Sequence, residues 1–506
     1  MKNYYIKTLV LLLSLNLVSL SCTDDFEEIN TNPNAPEQLS SPGLLLPTII
    51  RNVMRDHYTA SWTRGNIVAD YTANQFVSAF DWTPSDASGY FLWDYYNHMR
   101  NLNTMMELAK EREMQNNEGV GLVLKSFMFQ SMTDVFGDIP YSEAIQAKSN
   151  NINFPVYDTQ EEIYNGILAD LEQANVLLGS GNDALTGDIL YQGDVLKWKK
   201  FANSLRMRCL MRISDRRDPS AEMSKMYGDP AQYPMFESYQ DQAALQYLDQ
   251  LGNEFPRYRA TVGDFAGTTH ASTTLIGKLQ ELNDPRLFVF AQPTPATAGS
   301  NNRVYAGVPN GIANEDLYNG GSANQSPPGL LWAPINWDPE LASPTAAQSM
   351  LMSNSELQLI LAEAAEKGYI SGDAAGFYRK GIQDQFDYYA SRIPANYNFP
   401  TAADVQPDPT YYTQDQVAYT GTQEEKLQKI WLQKWLSLFN TGYEGWSEWR
   451  RTGVPEITAG PNSLGFVPLR HLYPLTEQNF NKENYDAAVA RQGTDNTQTR
   501  VWWDVD

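Results

Sequence analysis

Along DTQEEIYNGILADLEQANVLL (158–178), Tyr164, Ile167, Leu168, Leu171, Ala174 and Leu178 recur at helical spacing, with Asp158 or Thr159 placed to cap and acids in the first turn. A second stripe, Trp198, Ala202, Leu205, Cys209 and Ile213, follows at 194–214, so the two segments predict a helical hairpin. The arrangement returns at 354–393. There Leu357, Leu361 and Ala364 precede a glycine-containing turn at 368–372, and Ala375, Tyr378, Ile382, Phe386 and Tyr389 make the partner stripe. Two hairpins of similar span predict a mainly α fold of tetratricopeptide-like helix pairs, each burying its face against the next. Further helices are expected around 44–78, 92–116, 119–136 and 424–441. Between about 228 and 349, and again at 394–422, periodicity fades while Gly, Pro, Asn, Thr and aromatics accumulate. Long irregular segments inside a compact domain are more often binding loops than filler.

The N-terminus follows a different pattern. Lys2 and Lys7 precede an apolar run from Leu9 to Leu20 that closes on Ser21 and Cys22. The run is too short for a permanent membrane span, and a small residue followed by cysteine is where a lipoprotein signal peptidase cuts. Residues 1–21 therefore read as a signal peptide and Cys22 as the lipidated residue, although Ser19 stands where a lipobox usually has leucine. The acidic, turn-rich stretch 22–47 reads as a leash, leaving 48–506 as one helical domain with its loop-rich insert at about 228–349.

Charge narrows the partners. The formal net charge is −23, and losing Lys2 and Lys7 with the signal takes it to −25. Nucleic acid is thereby disfavoured, since its phosphates need Lys and Arg; a neutral ligand is the simpler expectation. Once Cys22 is lipidated, Cys209 has no partner for a disulfide, and its stripe position reads as a buried thiol. His57, His98, His270 and His471 show no metal-ligand spacing, and GxSxG, Walker and GxGxxG motifs are absent. No catalytic residue, metal or cofactor is assigned. Glycosidases need only two carboxylates, and among 60 acids such pairs arise by chance; a helical glycoside hydrolase stays as the enzyme alternative.

Six phrases in order, TDVFGDIPYSEA (133–144), LKWKKFANSLRMRCLMRIS (196–214), NDPRL (283–287), SELQLILAEAAEKG (355–368), KIWLQKWLSLFNTGYEGWSEWRRTG (429–453) and RHLYPLTEQNFNKENYD (470–486), resemble the SusD/RagB family of surface nutrient-binding lipoproteins. The resemblance implies an outer-membrane lipoprotein facing the cell exterior, built on tetratricopeptide-like helices and paired with a SusC-type TonB-dependent transporter. Asp24 and Asp25 also resemble the family's surface-export signal. Read physically, the phrases are structural. Gly137 and Pro140 make a turn anchored by Phe136 and Ile139, Asp284 can pair with Arg286, Trp446 and Trp449 pack inward, and Trp502 and Trp503 tack down the C-terminus.

The family implies capture of an oligosaccharide or polysaccharide before import; the alternative is a peptide, as some relatives bind, or a largely structural lid over the transporter. Sugars present apolar C–H faces ringed by hydroxyls, which planar aromatics and Asp, Asn, Gln or Arg accommodate. The early segment QFVSAFDWTPSDASGYFLW offers Asp81, Trp82 and Tyr90. The middle insert offers Tyr305, Tyr318, Trp332, Asn336 and Trp337. Trp93 is expected in the core, at the start of a helix.

Overall fold

The computed structural model describes residues 41–74, 90–256, 268–333 and 343–505, without the side chains of Tyr90 and Phe91. The fold is mainly α, as the periodicity predicts. Its helices are α1 (Leu46–Ala60), α2 (Tyr95–Glu111), α3 (Gln115–Phe136), α4 (Gln160–Leu177), α5 (Val195–Arg212), α6 (Ser220–Gly228), α7 (Thr273–Glu281), α8 (Asn354–Glu366), α9 (Ala374–Arg392), α10 (Gln423–Ser437), α11 (Glu444–Thr452), α12 (Leu475–Phe480) and α13 (Lys482–Gln492), with short turns between them. Helices α2 to α5 pack in succession, and α5 then passes the stack to α8, whose partners are α9 and α10.

Each hairpin starts where the sequence supplies an acceptor. Thr159 closes a capping box with Glu162 at α4, Asp194 caps α5, and Asp373 caps α9. Gly368, at φ +77, ends the α8 turn where a side chain would be strained. Gly137, at φ +82, reverses the chain after α3, its N–H donating to Thr133 O at 2.7 Å, while Phe136 and Ile139 are fully buried.

The stack carries buried charge, much of it paired between helices. Arg208 of α5 grips Glu356 of α8 through both carboxylate oxygens, at 2.6 and 2.7 Å. Arg451 of α11 does the same to Glu363 of α8, at 2.7 Å for each bond, and also meets Glu448, which Lys434 of α10 approaches at 3.0 Å. Burial alone would raise both acids; the cations around Glu363 and Glu448 hold them well below the carboxylate range. Arg450 instead donates to the carbonyls of Leu469 and Asp134 and stacks over Trp446 and Trp503. Asp284 and Arg286 form the expected pair, fully buried and extended to Gln433 at 2.7 Å. The Cys209 thiol is buried and pushed up to about 12.

Several expectations shift. Packing starts ahead of residue 48: Pro42 and Gly43 are buried, Leu46 is a core residue, and Gly43 lies against Thr186. A three-residue helical turn is too short to show a period. The long helix expected over 44–78 stops as α1 at Ala60, passes through a π turn at Ser61–Gly65, and gives way to a strand, β1 (Thr72–Asn74). The insert contains α7, capped by Ser272, and three further strands: β2 (Ala243–Gln246), β3 (Thr269–Ala271) and β4 (Gln348–Met352). Strand β1 pairs antiparallel with β3, and β2 with β4. Among the described residues no helix is long and apolar enough to cross a membrane.

Candidate functional site

Backbone pairing joins the two regions that hold the candidate residues. Asn74 pairs in register with Thr269 and donates from Nδ2 to its Oγ1 at 2.9 Å, so the entry to 75–89 lies beside the exit of 257–267. The Phe255 N–H donates to Pro344 O at 3.0 Å, so the entry to 257–267 lies beside the exit of 334–342. Beyond β3 the ladder continues into the insert: Val308 N donates to Ala271 O and Ala271 N to Ser326 O, both at 2.9 Å.

A buried polar frame fixes that insert to the helical body. Asp70 sits at φ +57 after the π turn, and Asn310 reaches it with an amide bond of 2.6 Å to Oδ1 while also donating to Thr72 O at 2.9 Å. The Ser272 hydroxyl donates to Asp70 O at 2.5 Å. Glu315 accepts from Gly311 N at 3.2 Å, and burial, with a contribution from Asp70, pushes its carboxyl up to about 7. Gln325, fully buried, donates to the carbonyls of Glu315 and Tyr318 at 2.9 and 2.7 Å, and Asn319 and Asn324 exchange side-chain bonds across the loop. The loop is therefore clamped from beneath.

On this frame the candidates separate. Tyr318 is 39 % exposed and rides on the clamped loop, beside an exposed Leu317. Tyr305 is half-buried, its ring 5.9 Å from Phe288, and burial pushes its hydroxyl upward. Trp332 corrects the expectation of a stacking platform. It is 6 % exposed and walled by Phe439, Tyr389, Trp62 and Phe290, with centroids 5.1 to 6.3 Å away. An aromatic cluster from four separate parts of the chain draws it in, which local sequence cannot show. Tyr90 opens a short helical turn, Tyr90–Trp93. Asp81, Trp82, Asn336, Trp337 and Cys22 lie outside the described residues.

A broad cleft lies elsewhere. About 770 Å³ opens between α2 and the segment after Pro140, over Trp93 and Tyr96, with Arg100, Lys148, Glu107 and Glu477 on its walls. Trp93 is half-buried rather than core, edge-on to Phe136 and Tyr96. Ile145 on the wall holds φ +61, a left-handed conformation unusual for a β-branched residue. Neither property has a signature in sequence.

His57 and His270 are buried and pushed down to about 3 and about 4, which keeps both neutral. His98 is tied to Asp56 at 2.5 Å. Among the described residues no three metal-ligating side chains gather.

Comparison with known proteins places this geometry. The sequence profile of the SusD-like family described as "Starch-binding associating with outer membrane" matches residues 33–474. A crystal structure of an outer membrane protein from Bacteroides vulgatus, described in connection with nutrient binding, superposes with a TM-score of 0.78 at 28% identity over 92% of this chain and 100% of that one. A SusD homologue from Bacteroides fragilis gives 0.76 at 27% over 92% and 99%. A protein named as chitin-binding gives 0.75 at 29% over 92% and 100%. No match is found among curated proteins. Fold and profile agree over most of the chain, which belongs to the SusD-like family.

Proposed function

We propose that this protein is a non-catalytic glycan-capture lipoprotein of the outer membrane, anchored through Cys22 and facing the exterior, that passes oligosaccharide to a SusC-type TonB-dependent transporter. Family membership supports the setting. The observation that carries the ligand reading is Tyr318, an exposed ring on a loop whose amides are clamped below and whose ladder runs to the early segment holding Trp82. Stacking on a rigid aromatic costs little ordering, and the glycan's hydroxyls can then meet Asn and Gln side chains. The relative named as chitin-binding makes N-acetylglucosamine oligomers the first probes.

The test is a glycan array run beside a peptide library, followed by titration of Tyr318→Ala, Trp82→Ala and Trp337→Ala. The reading expects intact oligosaccharide to be bound and returned, more weakly by these variants and without loss of melting temperature. Release of reducing ends over time would point to the glycosidase alternative instead.

A second reading has its own observation. The α2 cleft combines an apolar floor with both signs of charge, a pattern suited to a short peptide. Selective peptide capture that responds to Arg100→Gln, with no glycan bound, would favour it.

A further inference from the structure

A smaller cleft of about 340 Å³, within the size range of small-molecule sites, lies where the start of α5, the approach to β2, and the end of α9 meet. Among the described residues no carboxylate lines it, although the chain carries 60 acids and only 37 Lys and Arg. Two cations do. The Lys197 ammonium donates to Gln240 O at 2.9 Å, and Arg392 donates from Nε to Ala346 O at 2.7 Å and from Nη2 to Thr345 O. Neither has a carboxylate partner among the described residues, and Arg392 Nη1 has no partner there at all.

Three acids on the flanking segments have partners of their own. Asp194 caps α5 through the Lys197 N–H at 3.1 Å, Asp241 holds Lys200 at 2.9 Å, and Asp384 accepts from Tyr239 N at 3.0 Å. Around the cations stand five glutamines, Gln192, Gln240, Gln242, Gln246 and Gln348, the last two bonded to each other at 3.1 Å across β2 and β4. Tyr239 and Tyr388, both half-buried and 6.2 Å apart, supply ring surface.

Two cations held only by backbone carbonyls, beside amides and phenol rings, suit a ring bearing hydroxyls and a negative charge. Guanidinium and ammonium answer the anion through charge-assisted bonds, stronger than neutral ones, and the amides answer the hydroxyls. A neutral sugar would leave both charges unused. We infer that this cleft is a subsite for an acidic saccharide, a uronate or a sulfated sugar, separate from the Tyr318 loop. The inference rests on the glycan-capture reading and gives it a substrate class.

The experiment is calorimetric titration of the folded protein with an oligogalacturonide, a sulfated galactan oligomer, a neutral N-acetylglucosamine oligomer and oligoglutamate. The expected result is binding of at least one acidic saccharide that weakens about tenfold in Lys197→Gln and in Arg392→Gln, is retained in Lys197→Arg, and falls steeply with salt. Lys197 makes one exposed bond, so its variant keeps the test valid where Arg392→Gln lowers the melting temperature. Failure of both acidic saccharides to bind, binding unchanged in Lys197→Gln, or oligoglutamate binding as tightly overturns the inference. Retention of the neutral oligomer in that case leaves the capture reading standing; loss of all saccharides removes both.

Discussion

The helical stack and the loop-rich insert solve burial in opposite ways. Across α8, α10 and α11 the buried acids are answered by cations: Glu363 and Glu448 share Arg451, with Lys367 on the first and Lys434 on the second. In the insert the satisfied polar groups lie underneath, where Asn310, Asp70 and Gln325 hold backbone, and an aromatic is left outside on Tyr318. Regular periodicity closes surfaces, and its absence leaves room to present them. Tryptophans do not follow this contrast. Trp446 on α11 is fully buried with its indole N–H on Pro468 O at 2.8 Å, and Trp332 in the insert is nearly as buried, so an irregular segment does not by itself put an aromatic in solvent.

The largest effects should come from the stack. Trp446→Ala leaves a cavity costing about 3 to 5 kcal/mol, and Trp332→Ala should cost a similar amount despite its loop position. Thermal melting checks both; a Trp332 variant that melts like the parent would return that residue to the ligand surface. Arg451→Ala removes the cation shared by buried Glu363 and Glu448, leaving only Lys367 and Lys434 beside them, and should destabilise by about 3 kcal/mol, measured by denaturant unfolding.

The insert responds to pH. Glu315 is raised in the folded state from an ordinary 4.5 to about 7, so the folded protein holds more protons than the unfolded chain between those values. Its contribution is intact below about pH 4.5 and is lost as pH rises through about 7. Glu315→Gln should therefore gain stability over the parent at pH 8, by up to about 3 kcal/mol, and little at pH 4.5. Equal melting differences at both pH values would contradict a protonated Glu315. Smaller still is Tyr318→Ala, which should shift stability by no more than about 0.5 kcal/mol.

Helices and caps were readable because a 3.6-residue stripe and a Thr or Asp before it are local properties; α4, α5, α8 and α9 fall within a few residues of expectation. Packing ahead of residue 48 is invisible to the same local reading, since Gly43 meets Thr186 and Gly187, far along the chain. Trp332 was misjudged for the same cause: its walls come from residues 62, 290, 389 and 439. The cleft of Lys197 and Arg392 left no trace in sequence at all, because strand pairing and helix packing bring its glutamines together from positions more than 150 residues apart. Tyr318 was legible only as an aromatic in a polar loop, and its exposure is a tertiary fact.

The central claim is that the insert captures glycan, and titration of an N-acetylglucosamine oligomer into the parent and Tyr318→Ala, with melting curves beside it, tests it most directly. The account predicts saturable binding by the parent and a roughly three- to tenfold weaker affinity in the variant, with melting unchanged. Identical affinity in the two proteins would contradict it.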